Sequence, residues 1–206
     1  GTIVAGTGTA GSGANQLSGP QGIDIDSNGN IYISDLGNNR IMKWASGASE
    51  GTVVAGGNGQ GSSNNKFYNM SRIRVNSLGH IYIADQGNNR VMKWIPGELE
   101  GTIVAGTGTA GSGANQLSSP SGIDIDSKGN IYVADTNNHR IQFIQRASEI
   151  TIAAGSTTGT ITFTGIDDST DEAGETIIVT PSTSPTNATS TISEASTITI
   201  TDDDDP

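Results

Sequence analysis

The sequence predicts an all-β protein made of three consecutive propeller-type blades followed by a second, acidic β module. Two observations carry the first part. The chain repeats itself every 50 residues without a gap, and inside each repeat short runs of alternating apolar and polar residues are separated by Gly, Asn and Ser. One observation carries the second part: from residue 150 onward the repeat fails and every Lys and Arg disappears. A period of roughly 40 to 50 residues is that of propeller blades, which stack as units of four short antiparallel strands.

The repetition is plainest in GNIYISDLGNNRI (Gly29 to Ile41), which returns as GHIYIADQGNNRV (Gly79 to Val91) and GNIYVADTNNHRI (Gly129 to Ile141). The opening GTIVAGTGTAGSGANQLS is shared by the first and third repeats, and the middle one begins GTVVAGGNGQGSSNNKFYN. Within the first repeat GIDID (Gly22 to Asp26) alternates as a strand does, SNG is turn chemistry, and NIYISD (Asn30 to Asp35) alternates again, which predicts a tight hairpin. LGNN supplies a second turn, RIMKW (Arg40 to Trp44) a third strand, and the GTVVAG starting at Gly51 a fourth. The Gly-rich segment GTGTAGSGANQLS has no apolar period and reads as a loop crossing to the next blade, its glycines free to take positive φ. A phosphate cradle would need a helix directly after the loop, and the sequence offers none.

The run P-x-G-I-D-I-D-S-x-G-N-I-Y-[IV]-[AS]-D-x-x-N-[NH]-R-I resembles the NHL repeat, with Asn138-His139-Arg140 matching the family's naming tripeptide and Asn38-Asn39-Arg40 and Asn88-Asn89-Arg90 as variants. The resemblance implies a β-propeller, commonly six-bladed, and assigns residues 1–149 to three NHL-type repeats. The middle repeat departs from it, with Met70-Ser71-Arg72 where the first has Pro20-Gln21-Gly22, and Asn76 in place of Asp26.

Residues 150–206 are expected to form a second domain. Their β-branched runs (Gly159 to Thr164, Glu175 to Thr180, Ser196 to Thr201) are joined by acidic turns. The order of strand, I-D-D-x-x-x-E-x-x-x-E-T, strand, and a last strand running into D-D-D resembles the C-terminal half of a Calx-β domain. That resemblance implies a partial Ig-like β-sandwich and, as in some members, calcium. Ca²⁺ takes six to eight oxygen ligands in a forgiving geometry, so Asp167, Asp168, Glu172, Asp202, Asp203 and Asp204 are the candidate ligands. A solvated acidic edge that discourages strand pairing is the alternative. Glu149 to Gly155 reads equally as the fourth strand of blade three or the first strand of this module.

Charge and composition exclude several functions. Residues 1–149 carry ten basic and eleven acidic residues, and residues 150–206 carry ten acidic and no basic ones, giving the net −11. Nucleic acid needs a basic footprint, so no nucleic-acid partner is expected. No apolar run reaches the roughly 18 to 20 residues of a spanning helix, and no membrane insertion is expected. Cysteine is absent, which rules out disulfides and thiolate metal sites. Any secretory signal is expected to have been removed or to lie upstream.

Candidate chemistry is sparse. The pairs Asp35/Arg40, Asp85/Arg90 and Asp135/Arg140 face each other across a turn in every repeat and are expected to lock it by charge-assisted hydrogen bonds. The two histidines, His80 and His139, occupy different repeat positions and do not converge, whereas a catalytic zinc usually needs three protein ligands. No catalytic residues are therefore expected, and the chain reads as a non-enzyme. Trp44, Trp94 and Ile144 hold equivalent positions and are expected between blades. Lys66, Phe67, Arg72 and Arg74 in the divergent middle repeat are the candidate binding spot. Asn69 and Asn187 fit the glycosylation sequon.

Three blades fill half of a six-bladed ring and the tail about half of a sandwich, so strand edges and apolar faces are left for another chain to cover. The leading expectation is an extracellular or cell-surface structural or adhesive protein whose copies complete each other, with GTIVAG at the N-terminus as a donated strand, in a filament or surface layer. The alternative is a propeller binding module for a protein or glycan partner, a piece of a larger surface protein.

Overall fold

The alternating runs pair as meanders. The computed structural model describes residues 1–145, together with the backbone of residues 176–178 and 197–199. Strands β1 (Pro20–Ile25), β2 (Ile31–Asp35), β3 (Arg40–Trp44) and β4 (Thr52–Gly56) form one antiparallel sheet in chain order. The pattern recurs with β5 (Met70–Val75), β6 (Ile81–Asp85), β7 (Arg90–Trp94) and β8 (Thr102–Ala105). Strands β9 (Pro120–Ile125), β10 (Ile131–Asp135) and β11 (Arg140–Ile144) make a three-stranded sheet among the described residues. The fourth strand of a blade is thus the opening segment of the next repeat, so blades and sequence repeats are offset.

The chain divides into two units, Gly1–Ser148 and Glu149–Pro206. In the second unit, β12 (Thr176–Ile178) pairs antiparallel with β13 (Thr197–Thr199), Ile177 opposite Ile198. These strands fall within two of the expected runs. Gly159 to Thr164 and the segment Glu149 to Gly155, apart from the division point, lie outside the described residues.

Period-2 alternation gives each blade two apolar faces. On the forward face of blade one, Tyr32, Ile41 and Ala55 meet Phe67, Ile73, Ile81, Ile83, Met92 and Trp94 of blade two. On the forward face of blade two, Tyr82, Ala84 and Val91 meet Leu117, Ile123, Ile131 and Val133 of blade three. The rear face of blade one packs Ile33, Met42 and Trp44 against Leu17 and Ala5 of its own leading loop. Trp94 is buried between blades as expected, 5.6 Å from Phe67 between ring centroids, with its indole N–H donating to the Glu98 carbonyl at 2.9 Å.

The Asp/Arg pairs lock more than a turn. Asp35 Oδ1 accepts the Ser18 N–H at 2.6 Å, and Oδ2 accepts Asn38 Nδ2 and Arg40 Nε, both at 2.7 Å. The remaining nitrogens of Arg40 donate to the carbonyls of Ser12, Gly13 and Gln16. One carboxylate and one guanidinium therefore satisfy the backbone of the Gly-rich loop, which would otherwise leave carbonyls unpaired. Asp85/Arg90 and Asp135/Arg140 repeat the arrangement. The turn between the two residues is a 3-10 turn, closed by a left-handed residue: Asn39 at φ 50°, Asn89 at φ 51° and His139 at φ 55°. Asn and His tolerate that region better than most side chains do, which accounts for the middle position of the tripeptide.

The N-terminal GTIVAG departs from its two later copies. Residues 1–5 carry no strand and expose Ile3 and Val4, whereas the equivalent segments form β4 and β8.

Candidate functional site

The first strands β1, β5 and β9 neighbour one another. Their C-terminal ends bring one repeat position together three times, as Asp24, Arg74 and Asp124. Asp24 Oδ2 accepts the Val75 N–H at 2.7 Å, and its Oδ1 accepts Arg74 Nη1 at 3.3 Å. Arg74 Nε lies 3.0 Å from Asp124 Oδ1, within ion-pair range but off the hydrogen-bond direction. The arginine is thus a fixed cation between two carboxylates from the blades on either side. Asp24 is largely covered, while the Asp124 side chain is 68 % exposed.

These groups open into a cleft of about 530 Å³, whose walls are the strand ends and the hairpin turns of blades two and three. Ser77, Leu78, Asp126 and Ser127 line it beside Asp124, and Ile25 and Leu78 are exposed there. The turns are held by side-chain hydrogen bonds. Asp126 Oδ1 accepts the backbone N–H groups of Lys128 and Asn130, and its Oδ2 accepts Asn130 Nδ2. The Asn130 side chain is the largest influence holding the Asp126 carboxyl below the usual carboxylate range. At Asp26 burial works to raise the pKa, but hydrogen bonds from Asn30, the Asn28 N–H and the Tyr32 hydroxyl outweigh it and lower it. In blade two Asn76 makes the same turn, accepting from the Leu78 and His80 N–H groups without a charge.

The residues expected as one binding spot do not form one. Phe67 is buried in the core between blades one and two, so it presents nothing to a partner. Lys66 belongs to the loop bonded by Arg90, its carbonyl accepting Arg90 Nη2 at 3.1 Å, at the far end of β5 from the cleft. Arg72 is exposed on β5, and Arg74 alone reaches the cleft. Adjacency along the chain misled because the loop and the strand end face opposite ends of the blade. Asp24 and Asp124 were missed, although Arg74 is the one basic residue in an otherwise acidic repeat column.

The six candidate calcium ligands, Asp167, Asp168, Glu172, Asp202, Asp203 and Asp204, lie outside the described residues. Among the described residues no group of three His, Asp or Glu side chains is placed to hold a metal ion. His139 caps an exposed 3-10 turn, and His80 ends the hairpin turn of blade two. Asn69 is exposed at φ 54°, whereas Asn187 lies outside the described residues.

Residues 17–44 and 117–142 match the NHL repeat model. The two matched segments lie in blades one and three. The matches begin in the loops pinned by Arg40 and Arg140 and run through β3 and into β11. The middle repeat, where Met70-Ser71-Arg72 and Asn76 depart, falls outside them. No curated protein matches the chain.

Among solved structures, the chain is similar to a streptogramin B lyase at 19 % identity and a TM-score of 0.44, covering 62 % of this chain and 37 % of that one. An auxiliary nutrient binding protein from Bacteroides thetaiotaomicron is 17 % identical with a TM-score of 0.48, over 60 % of this chain and 37 % of its own. A gluconolactonase from Xanthomonas campestris is 15 % identical with a TM-score of 0.44, over 57 % and 35 %. The chain therefore spans little more than a third of the length of these three structures. The expectation that the chain is not an enzyme is corrected here: matched structures include a lyase and a gluconolactonase, so the blades give no ground for excluding catalysis. At these identities none of those activities passes to this chain.

Proposed function

We propose that the chain is a propeller binding module that takes a polyhydroxylated ligand, a glycan segment, in the cleft at the ends of β1, β5 and β9. The observation that carries this reading is Arg74, which replaces an aspartate of the repeat and holds Asp24 and Asp124 beside an open cleft. Both neighbouring repeats carry Asp at that position, so the described blades place one cation among carboxylates there. The lining suits sugar chemistry. Carboxylates and serine hydroxyls accept from ring hydroxyls, and the exposed Ile25 and Leu78 offer an apolar platform for the ring's C–H face.

The test is saturation-transfer NMR against a panel of neutral oligosaccharides, followed by titration of any that respond. Asp124→Asn is expected to weaken binding by roughly tenfold, as loss of a charge-assisted hydrogen bond does, with an unchanged melting temperature. No transfer from any sugar, or parent-level affinity retained in both Asp124→Asn and Arg74→Ala, would overturn the reading.

A second reading is an extracellular or cell-surface structural or adhesive subunit whose copies associate, supported by the exposed apolar side chains Tyr132, Ile141 and Phe143. Calcium at Asp167, Asp168, Glu172, Asp202, Asp203 and Asp204, in a Calx-β-like partial sandwich, belongs to this reading and is supported by the acidic pattern of the sequence. Negative-stain microscopy with and without calcium tests it, assemblies being expected and isolated particles at every concentration counting against it.

A further inference from the structure

The chain holds two Asn-Gly pairs, Asn28-Gly29 and Asn58-Gly59. Asn followed by Gly is prone to lose its side-chain amide, because a residue without a Cβ lets its backbone nitrogen come close to the Asn Cγ. Both asparagines are exposed, but their backbones are held differently.

Asn28 sits in the hairpin turn between β1 and β2, where the backbone amides are engaged. The Gly29 N–H donates to the Asp26 carbonyl at 3.0 Å, the Asn28 N–H to Asp26 Oδ1 at 3.0 Å, and the Asp26 N–H to the Asn30 carbonyl at 3.1 Å. The Gly29 nitrogen is the one that would attack Asn28, so its hydrogen bond must break first.

Asn58 sits in the loop between β4 and β5. Among the described residues the Gly59 N–H has no hydrogen-bond partner. The other repeats hold the equivalent amide: the Thr9 N–H donates to the Thr7 hydroxyl at 3.3 Å, and the Thr109 N–H to the Thr107 hydroxyl at 3.4 Å. The middle repeat has Gly57 in place of that threonine and so lacks the acceptor. Its backbone takes another path as well, with Gly57 at φ 83° and Gly59 at φ 79°, a region that the four threonines do not enter. The Asn58 carboxamide is anchored through Nδ2, which donates to the Asn65 carbonyl at 3.1 Å and the Gly56 carbonyl at 3.5 Å. Both bonds are exposed, so water can replace them.

We infer that Asn58 is a site of spontaneous deamidation in the folded chain, whereas Asn28 is shielded by its turn. The Gly59 nitrogen bonds to Asn58 Cγ and gives its proton to solvent. The bond from Cγ to the side-chain nitrogen breaks, and ammonia leaves with a proton from water. Water then opens the cyclic imide at either carbonyl, giving aspartate or isoaspartate and one new negative charge. The product sets a carboxylate against the Gly56 and Asn65 carbonyls that the amide had satisfied. It does so in the loop whose Ser62, Ser63 and Lys66 carbonyls are held by Arg90.

Peptide mapping by mass spectrometry tests this on the whole chain aged at mildly alkaline pH, folded and, in parallel, unfolded in urea. In the folded chain Asn58 is expected to convert at least roughly fivefold faster than Asn28, the factor that one hydrogen bond of ordinary net strength on the attacking nitrogen makes in a rate. In urea the ratio is expected to fall to near one, since Gly follows both residues and the turn is gone. Isoaspartate together with aspartate at position 58 is the expected product, because a cyclic imide opens both ways. Equal conversion of the two asparagines in the folded chain, Asn28 converting ahead of Asn58, or an Asn58 that stays intact until urea is added would overturn the inference. A preference for Asn58 that persists unchanged in urea would overturn it too, by assigning the difference to sequence instead of structure.

Discussion

Replacing Asp85 by Asn should cost far more than the same change at Asp135, although the two residues hold the same repeat position. Asp85 accepts the Tyr68 N–H, Asn88 Nδ2 and Arg90 Nε, each at 2.8 Å. The partner decides the magnitude. The Arg90 side chain is 3 % exposed and the Arg140 side chain 33 %. With Asn at 85, a guanidinium shut off from water loses its counter-charge, a change that costs about 3–5 kcal/mol in buried pairs. At 135 water solvates Arg140 in place of the lost charge, and the cost falls to about 1–2 kcal/mol, that of an exposed hydrogen bond to a charge. Removing Arg90 as well does not restore stability, because the carbonyls of Ser62, Ser63 and Lys66 then lose their donors. Urea unfolding followed by circular dichroism and by tryptophan fluorescence gives the comparison, Trp94 reporting on blade two directly. Equal destabilisation by the two substitutions would refute the reasoning that burial of the arginine sets the cost.

Three further outcomes follow from the same geometry. Gly22→Ala is expected to destabilise by about 1–3 kcal/mol through overpacking, since its Cβ would meet the Ser71 carbonyl and the Ser34 hydroxyl that bridges blades one and two; an unchanged melting temperature would place that contact elsewhere. Folded Asp26, Asp126 and Asp135 have lowered pKa values, so the stability they contribute is present above about pH 4 and is lost as pH falls through the folded values. The double variant Asp26→Asn/Asp126→Asn, which copies the uncharged turn of Asn76, should therefore show a shallower loss of melting temperature between neutral and acid pH than the parent. Calcium at millimolar excess should raise the melting temperature of the whole chain by mass action on the folded state. A triple change of Asp202, Asp203 and Asp204 to Asn should remove that rise, and identical melting in calcium and in chelator would count against the site.

The strands of each blade were legible because their signals are local. Alternation along GIDID and NIYISD and the turn residues SNG and LGNN fix which side chains share a face. The Asp/Arg pairing was legible too, since both residues flank one turn. Its reach into residues 11–17 was not, because the loop folds back over more than twenty residues to meet the arginine.

By itself the sequence determined the repeat, the strand runs, the lock at each 3-10 turn and the acidic character of residues 150–206, all of which depend on neighbours in the chain. Only the tertiary structure decided that Phe67 is core, that Arg74 stands between Asp24 and Asp124, and that the end blades expose Ile23 and Ile141. Those facts concern residues about 50 positions apart, which meet or fail to meet only once the blades have stacked and each face has found, or lacked, its neighbour.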